Sequence, residues 1–251
     1  MGAQVGAFGN LMEWIGANPT FGKVTILNTG RNLKQWHNFE DFLEGYASVS
    51  GIWTSVFSGV AANVYSAPGT ALRPGIHALN TGTTAAGAAL IYAGGGIADG
   101  ILLGGGEYTV ETDIYITALS TAAEEYALMF GIGDTAGADM VDGCYFRYDR
   151  ALAGVNWRIK TASNSVRTDT DSTVAVASGA WTRLKVVVNA AGTLVSYWIN
   201  EILVGTNTLT IPTGAGRGTK FILDMKKSVG ITVRFTLVDW IWVHYDLAAS
   251  R

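Results

Sequence analysis

The chain has 251 residues, 15% of them charged and nearly half apolar, with a formal net charge of −3 and one cysteine, Cys144. With no basic stripe to neutralise phosphates, nucleic acid is excluded as a partner. One cysteine excludes an intrachain disulfide and favours a reducing compartment. No run of about 18 apolar residues exists to cross a bilayer as a helix.

Residues 1–37 differ from the rest. They are rich in Gly and Asn, carry Trp14 and Phe21, and lack the basic start of a secretory signal. We expect an extended N-terminal arm that docks on another surface, with a first strand near Val24–Leu27. From residue 38 to 251 the pattern is β. In Tyr108–Thr117, Tyr108, Val110, Ile114 and Ile116 alternate with Thr109, Glu111, Asp113 and Tyr115, which is the period of a half-buried strand. Glu107, Glu111 and Asp113 then share an outward face, expected to be solvated. "IADGILL" between two glycine patches reads as a short apolar strand. Trp157 and Ile159 oppose Arg158 and Lys160, and Leu184, Val186 and Val188 align. "INEI" reverses the chain with Asn200-Glu201, and Glu is a poor residue for positive φ. Short strands at turn-marked intervals, without a long helix, predict an all-β fold, an antiparallel β-sandwich or jelly roll.

Five stretches carry a resemblance: "HNFEDFLEG", "HALNTGTTAAGAALIYAG", "DGCYFRYDR" with "NWRIKT", the run Trp181–Gly214, and "FTLVDWIWVHYDL". Their order resembles the jelly-roll, concanavalin-type (laminin G-like) domains of tailed-bacteriophage virion proteins, over residues 38–247. The resemblance implies a virion structural protein, either a head-decoration or a tail-fibre subunit. It implies self-association, with a trimer expected, and contact with the major capsid protein or a tail component.

Such sandwiches also host glycoside hydrolases with the pattern Glu-x-Asp-x-x-Glu, whose acids must converge to within a few ångströms. Here Glu111 and Asp113 are present, but Ile116 replaces the third acid. No Gly-x-Ser-x-Gly elbow or phosphate loop occurs. His37, His77 and His244 are far apart in sequence, and Cys144 reads as core. Asp134, Asp139 and Asp142, and separately Asp169 and Asp171, offer oxygens suited to calcium, although Asp is also an ordinary turn residue. No other cofactor and no catalytic residue is expected.

The last strand is apolar on both parities, with Val238, Trp240, Trp242 and His244 on one. Outward tryptophans need cover from within the sandwich, from a second subunit or the arm, or from a sugar. Trp240, Trp242, His244, Trp14 and Phe21 are therefore the candidate subunit or host-glycan contacts. The expected function is a non-enzymatic virion subunit. The alternative is a carbohydrate-binding receptor-recognition module, and less favoured is a polysaccharide-degrading enzyme.

Overall fold

A computed structural model describes residues 7–8, 11–12, 27–28 and 35–40 of the first 52, and then 53–67, 69–70, 72–73, 75–93, 101–134, 139–150 and 155–247. Trp14, Phe21 and most of the expected arm lie outside the described residues. Three two-residue strands, β1 (Ala7–Phe8), β2 (Leu11–Met12) and β3 (Leu27–Asn28), form a small antiparallel sheet.

The larger elements follow in chain order. They are β4 (Gln35–Glu40), β5 (Trp53–Ser58), β6 (Asn63–Ala67), β7 (Ile76–Asn80), β8 (Ala88–Ala93), β9 (Gly106–Ile116), β10 (Tyr126–Gly133) and β11 (Gly143–Asp149). Then come β12 (Asn156–Ser163), β13 (Val166–Ala175), β14 (Trp181–Val188), β15 (Val195–Ile199), β16 (Ile202–Asn207), β17 (Lys220–Lys227) and β18 (Phe235–Leu247). Two antiparallel sheets result. One runs β13-β12-β11-β10-β17-β8-β5; the other runs β16-β15-β14-β9-β18-β7-β6, with β4 also paired to β18. This is the antiparallel sandwich that the alternation predicts.

The period-two strands build the core directly. Leu184, Val186 and Val188 of β14 are fully buried, as are Val110 and Ile114 of β9 and Leu128 and Ile132 of β10. Phe146, Trp157 and Tyr197 meet edge to face across the two sheets, a favoured aromatic geometry. Cys144 lies among them, and burial pushes its thiol pKa up. "IADGILL" is not a strand in its described part: Ile101 and Leu103 make only isolated bridges, to Thr219 and Thr213.

The outer face of the seven-stranded sheet is also covered. Met140 folds down onto Met129, Tyr145, Leu90 and Ile222. Asp139 beside it accepts from Lys160 (2.7 Å) and from Tyr145, and pairs with Arg147 (2.7 Å) and Arg167 (3.2 Å). Burial opposes ionisation of Asp139, but the bonds from Lys160 and Tyr145 and the Arg147 charge hold its pKa below the ordinary value. Asp134 accepts from the Val141 amide, and Asp142 from the Asn164 amide and Arg217. Asp169 and Asp171 pair with Arg158. These aspartates therefore face protein donors, and the described residues contain no cluster of three or more metal-ligating side chains.

Two buried polar groups fasten the end of the sandwich near β7. Lys227 is 1% exposed and donates to the carbonyls of Gly82 (2.8 Å) and Thr232 (2.6 Å). Gly82 has φ +65°, and a Cβ there would stand 2.2 Å from the Val60 carbonyl, so only glycine serves. His77 pairs in register with Val238 and is 1% exposed. Burial lowers its pKa to about 4, against a smaller opposing hydrogen bond to Ile76. The unfolded chain therefore binds the His77 proton first as pH falls. Stability from this residue is complete above pH 6.5 and is lost between there and pH 4, by about 3 kcal/mol. Urea unfolding across that window should show a slope that His77→Leu removes; an unchanged slope in the variant would refute the assignment.

Candidate functional site

The outer face of the eight-stranded sheet carries the unusual chemistry. Its centre is β9, flanked by β14 and β18. In register, Arg183, Asp113 and Trp240 form one row, Lys185, Glu111 and Trp242 the next, and Val187, Thr109 and His244 the third. Beyond β14, the strand β15 adds Trp198 opposite Lys185 and Ser196 opposite Val187. Directly opposed residues share a face, so one surface holds all of these side chains.

A β-bulge sets that surface. The ladder between β18 and β9 shifts between Val238 and Trp240, and the extra residue, Asp239, reverses the side-chain parity. Val238 lies in the core, yet so do Ile241 and Val243 after the bulge. Trp240, Trp242 and His244 turn outward and are half-buried. The Thr112 hydroxyl donates to the Trp240 carbonyl (2.8 Å) at this point. The sequence pattern placed Val238 with the tryptophans; the bulge separates them.

Glu111 and Asp113 are not solvated, as the alternation suggested, but 8% and 5% exposed. Cations cover them. Arg73 pairs with Asp113 (2.8 Å) and with Asp239, and its guanidinium lies 4.1 Å from the Trp181 ring centroid. Arg183 reaches Glu111 (3.6 Å) and Glu201 (2.6 Å) and lies over Trp240. Lys185 pairs with Glu201 (3.4 Å) and sits over Trp198. Burial raises the Glu111 pKa, opposed by Lys185. Each cation is thus shared between carboxylates and an aromatic face, a favourable combination.

Next to this lattice is an open cleft of about 340 Å³. Trp198 stands on one wall and Trp242 with His244 on the other; Glu107, Thr109, Lys185, Val187 and Ser196 complete the lining. Three strand-to-strand steps separate β15 from β18, about 14 Å at the usual spacing. Trp242 stacks flat on His244, with ring centroids 5.6 Å apart and planes 4° apart. Both indoles are therefore held by neighbours, Trp198 by Lys185 and Trp242 by His244.

A family model for the SO2946-like C-terminal domain matches residues 72–239. The chain belongs to that family. The match spans the sandwich from Arg73 to the bulge and stops before Trp240, Trp242 and His244. Among solved structures, a protein of unknown function, SO2946 from Shewanella oneidensis MR-1, is 15% identical with a TM-score of 0.64, covering 90% of this chain and 92% of its own. An endo-1,3-β-glucanase from Streptomyces sioyaensis is 10% identical with a TM-score of 0.59, covering 93% and 100%. The potassium-bound carbohydrate recognition domain of Emp46p is 10% identical with a TM-score of 0.50, covering 78% and 89%. No curated protein matches the chain. At such identities these likenesses show the fold alone, a jelly-roll sandwich of the concanavalin-like kind.

Of the residues singled out in the sequence, Trp242 and His244 line the cleft, and Trp240 lies beside it under Arg183. The register also sets His37 of β4 opposite His244, two histidines distant in sequence. Trp198, Lys185 and Ser196 were not singled out in the sequence, and Glu107 and Thr109 were expected only as outward residues of a solvated strand face. Trp198 had a signal: it alternates with the core residues Tyr197 and Ile199 and so had to point outward.

Asn200 and Glu201 both have positive φ, 49° and 66°, the backbone of a type I′ hairpin. Glu201 is tolerated because its carboxylate accepts from Arg183 and Lys185. Glu201→Gly removes a left-handed strain of about 1 kcal/mol and loses exposed ion pairs worth no more than that. Salt screens the pairs and leaves the strain. The melting temperature of Glu201→Gly should therefore exceed that of the parent by a growing margin as NaCl is raised; a deficit that persists in 1 M salt would contradict this origin of the turn.

Proposed function

We propose that this domain binds glycan chains in the cleft between Trp198 and Trp242. One observation carries the reading: two indoles, each held by a neighbouring side chain, form opposite walls of an open groove that Thr109, Lys185 and Val187 also line. Flat apolar rings with adjacent hydroxyl, carboxylate and ammonium groups suit a sugar, which offers apolar C–H faces and a rim of hydroxyls. The carbohydrate recognition domain of Emp46p and the 1,3-β-glucanase share this fold, and those names support the choice of ligand class by analogy.

The reading is binding without hydrolysis. Of the acid pattern Glu-x-Asp-x-x-Glu, the third position is Ile116, which is 2% exposed in the core. Asp113 and Glu111 are engaged by Arg73, Arg183 and Lys185. A general acid or nucleophile must be available to substrate, and neither carboxylate is.

The virion role implied by the sequence resemblance is the second reading. It is favoured by the edge strand β16, where Ile202 is 68% and Leu203 47% exposed beside a backbone edge that no strand pairs among the described residues. Apolar side chains on a free edge invite a second copy. Light scattering that finds a monomer at every concentration would dismiss it.

The glycan reading is tested by titrating the full chain with oligosaccharides that include a β-1,3-glucan. Trp198→Ala and Trp242→Ala should each weaken binding about tenfold or more, the loss typical of a central aromatic contact. Their melting temperatures should stay within a few degrees of the parent, and no new reducing ends should form. Undiminished binding in both variants, or cleavage of the glucan, would defeat the proposal.

A further inference from the structure

The charges around the cleft point to the class of sugar it takes; this inference rests on the glycan reading above. Two cations, Lys185 and Arg183, stand against four acids: Glu107 on the lining, Asp246 opposite it in register, and Glu111 and Glu201 on the adjoining face. Neither cation is at liberty. Both pair with Glu201, and each also serves an aromatic ring. Glu107 differs. It is exposed on the lining, and among the described residues it joins no ion pair. A ligand lying between Trp198 and Trp242 therefore meets one uncommitted charge, and that charge is negative.

We propose that the cleft selects glycans by charge, admitting uncharged and amino sugars and refusing those that carry carboxylate or sulfate. The Glu107 carboxylate is acceptor-only when ionised. It receives hydroxyl or ammonium protons from the sugar but has nothing to offer an anionic substituent. An anion would lose its water in an open groove with Glu107 and Asp246 nearby, and Lys185 could answer it only by leaving Glu201. Such like-charge juxtaposition gives specificity by rejection.

The test is calorimetric titration of the full chain with a β-1,3-glucan, a chitosan and a polyuronate oligosaccharide of equal length. The glucan should bind with little dependence on salt. Chitosan should bind and weaken as salt rises, and the uronate should bind about tenfold or more weakly than the glucan. Glu107→Gln, an exposed substitution, should lower the ratio of chitosan to uronate affinity about fivefold. Uronate binding equal to glucan binding, or an unchanged ratio in Glu107→Gln, would overturn charge selection while leaving the glycan site intact. Failure of all three sugars to bind, or binding indifferent to Trp198→Ala, would instead overturn the glycan reading and this inference with it.

Discussion

The structure depends on how two buried carboxylates are given partners at the middle of a sheet. Glu111 and Asp113 sit on the central strand β9 and are nearly sealed from water. A buried carboxylate without a partner costs several kcal/mol, and removing one member of a buried pair typically costs 3–5 kcal/mol. Arg73, Arg183 and Lys185 supply the compensation. None of them serves one acid alone. Arg73 bridges Asp113 and Asp239, Arg183 bridges Glu111 and Glu201, and each is laid against an indole. The same network that satisfies the acids thus fixes Trp181, Trp240 and Trp198. Aromatic side chains that would otherwise sample rotamers on a wet sheet are pre-positioned, which lowers the entropy lost when a ligand is bound.

In the proposed reading this network also separates binding from chemistry. A concanavalin-like sandwich can carry either, because function is set by the groups on one face and not by the fold. Here the two acids available for hydrolysis are consumed by structural pairs, and the third position of the pattern faces the core. What lines the cleft beside those pairs is Trp198, Trp242 and His244, the Thr109 and Ser196 hydroxyls and the Glu107 carboxylate. The bulge at Asp239 is the hinge of this arrangement. It turns Trp240 and Trp242 outward while Ile241 and Val243 stay in the core, and its extra residue is the acid that receives Arg73.

Much of the sandwich could be read from the sequence because strand alternation is local. Leu184, Val186 and Val188, or Trp157 and Ile159, announce their face within a few residues. The bulge could not be read: nothing in "VDWIW" distinguishes a regular ladder from one with Asp239 inserted, since the choice is made by the neighbouring strand and by Arg73, 166 residues away. The burial of Glu111 and Asp113 was hidden for the same reason; their cover comes from Arg73 and from β14. The cleft was half visible. Trp242 stood out within its own strand, but Trp198 becomes its counterpart only through the order β15-β14-β9-β18. Sheet order joins residues far apart in sequence, and periodicity carries no information about it.

The central claim is that the outer face of the eight-stranded sheet presents Trp198 and Trp242 to a sugar. It is tested most directly by following the tryptophan indole N–H resonances of the whole chain during titration with a β-1,3-glucan oligosaccharide. The account predicts that the Trp198 and Trp242 signals move together and saturably while that of the buried Trp157 stays still. Saturable shifts confined to other tryptophans, or none at all at millimolar sugar, would contradict it.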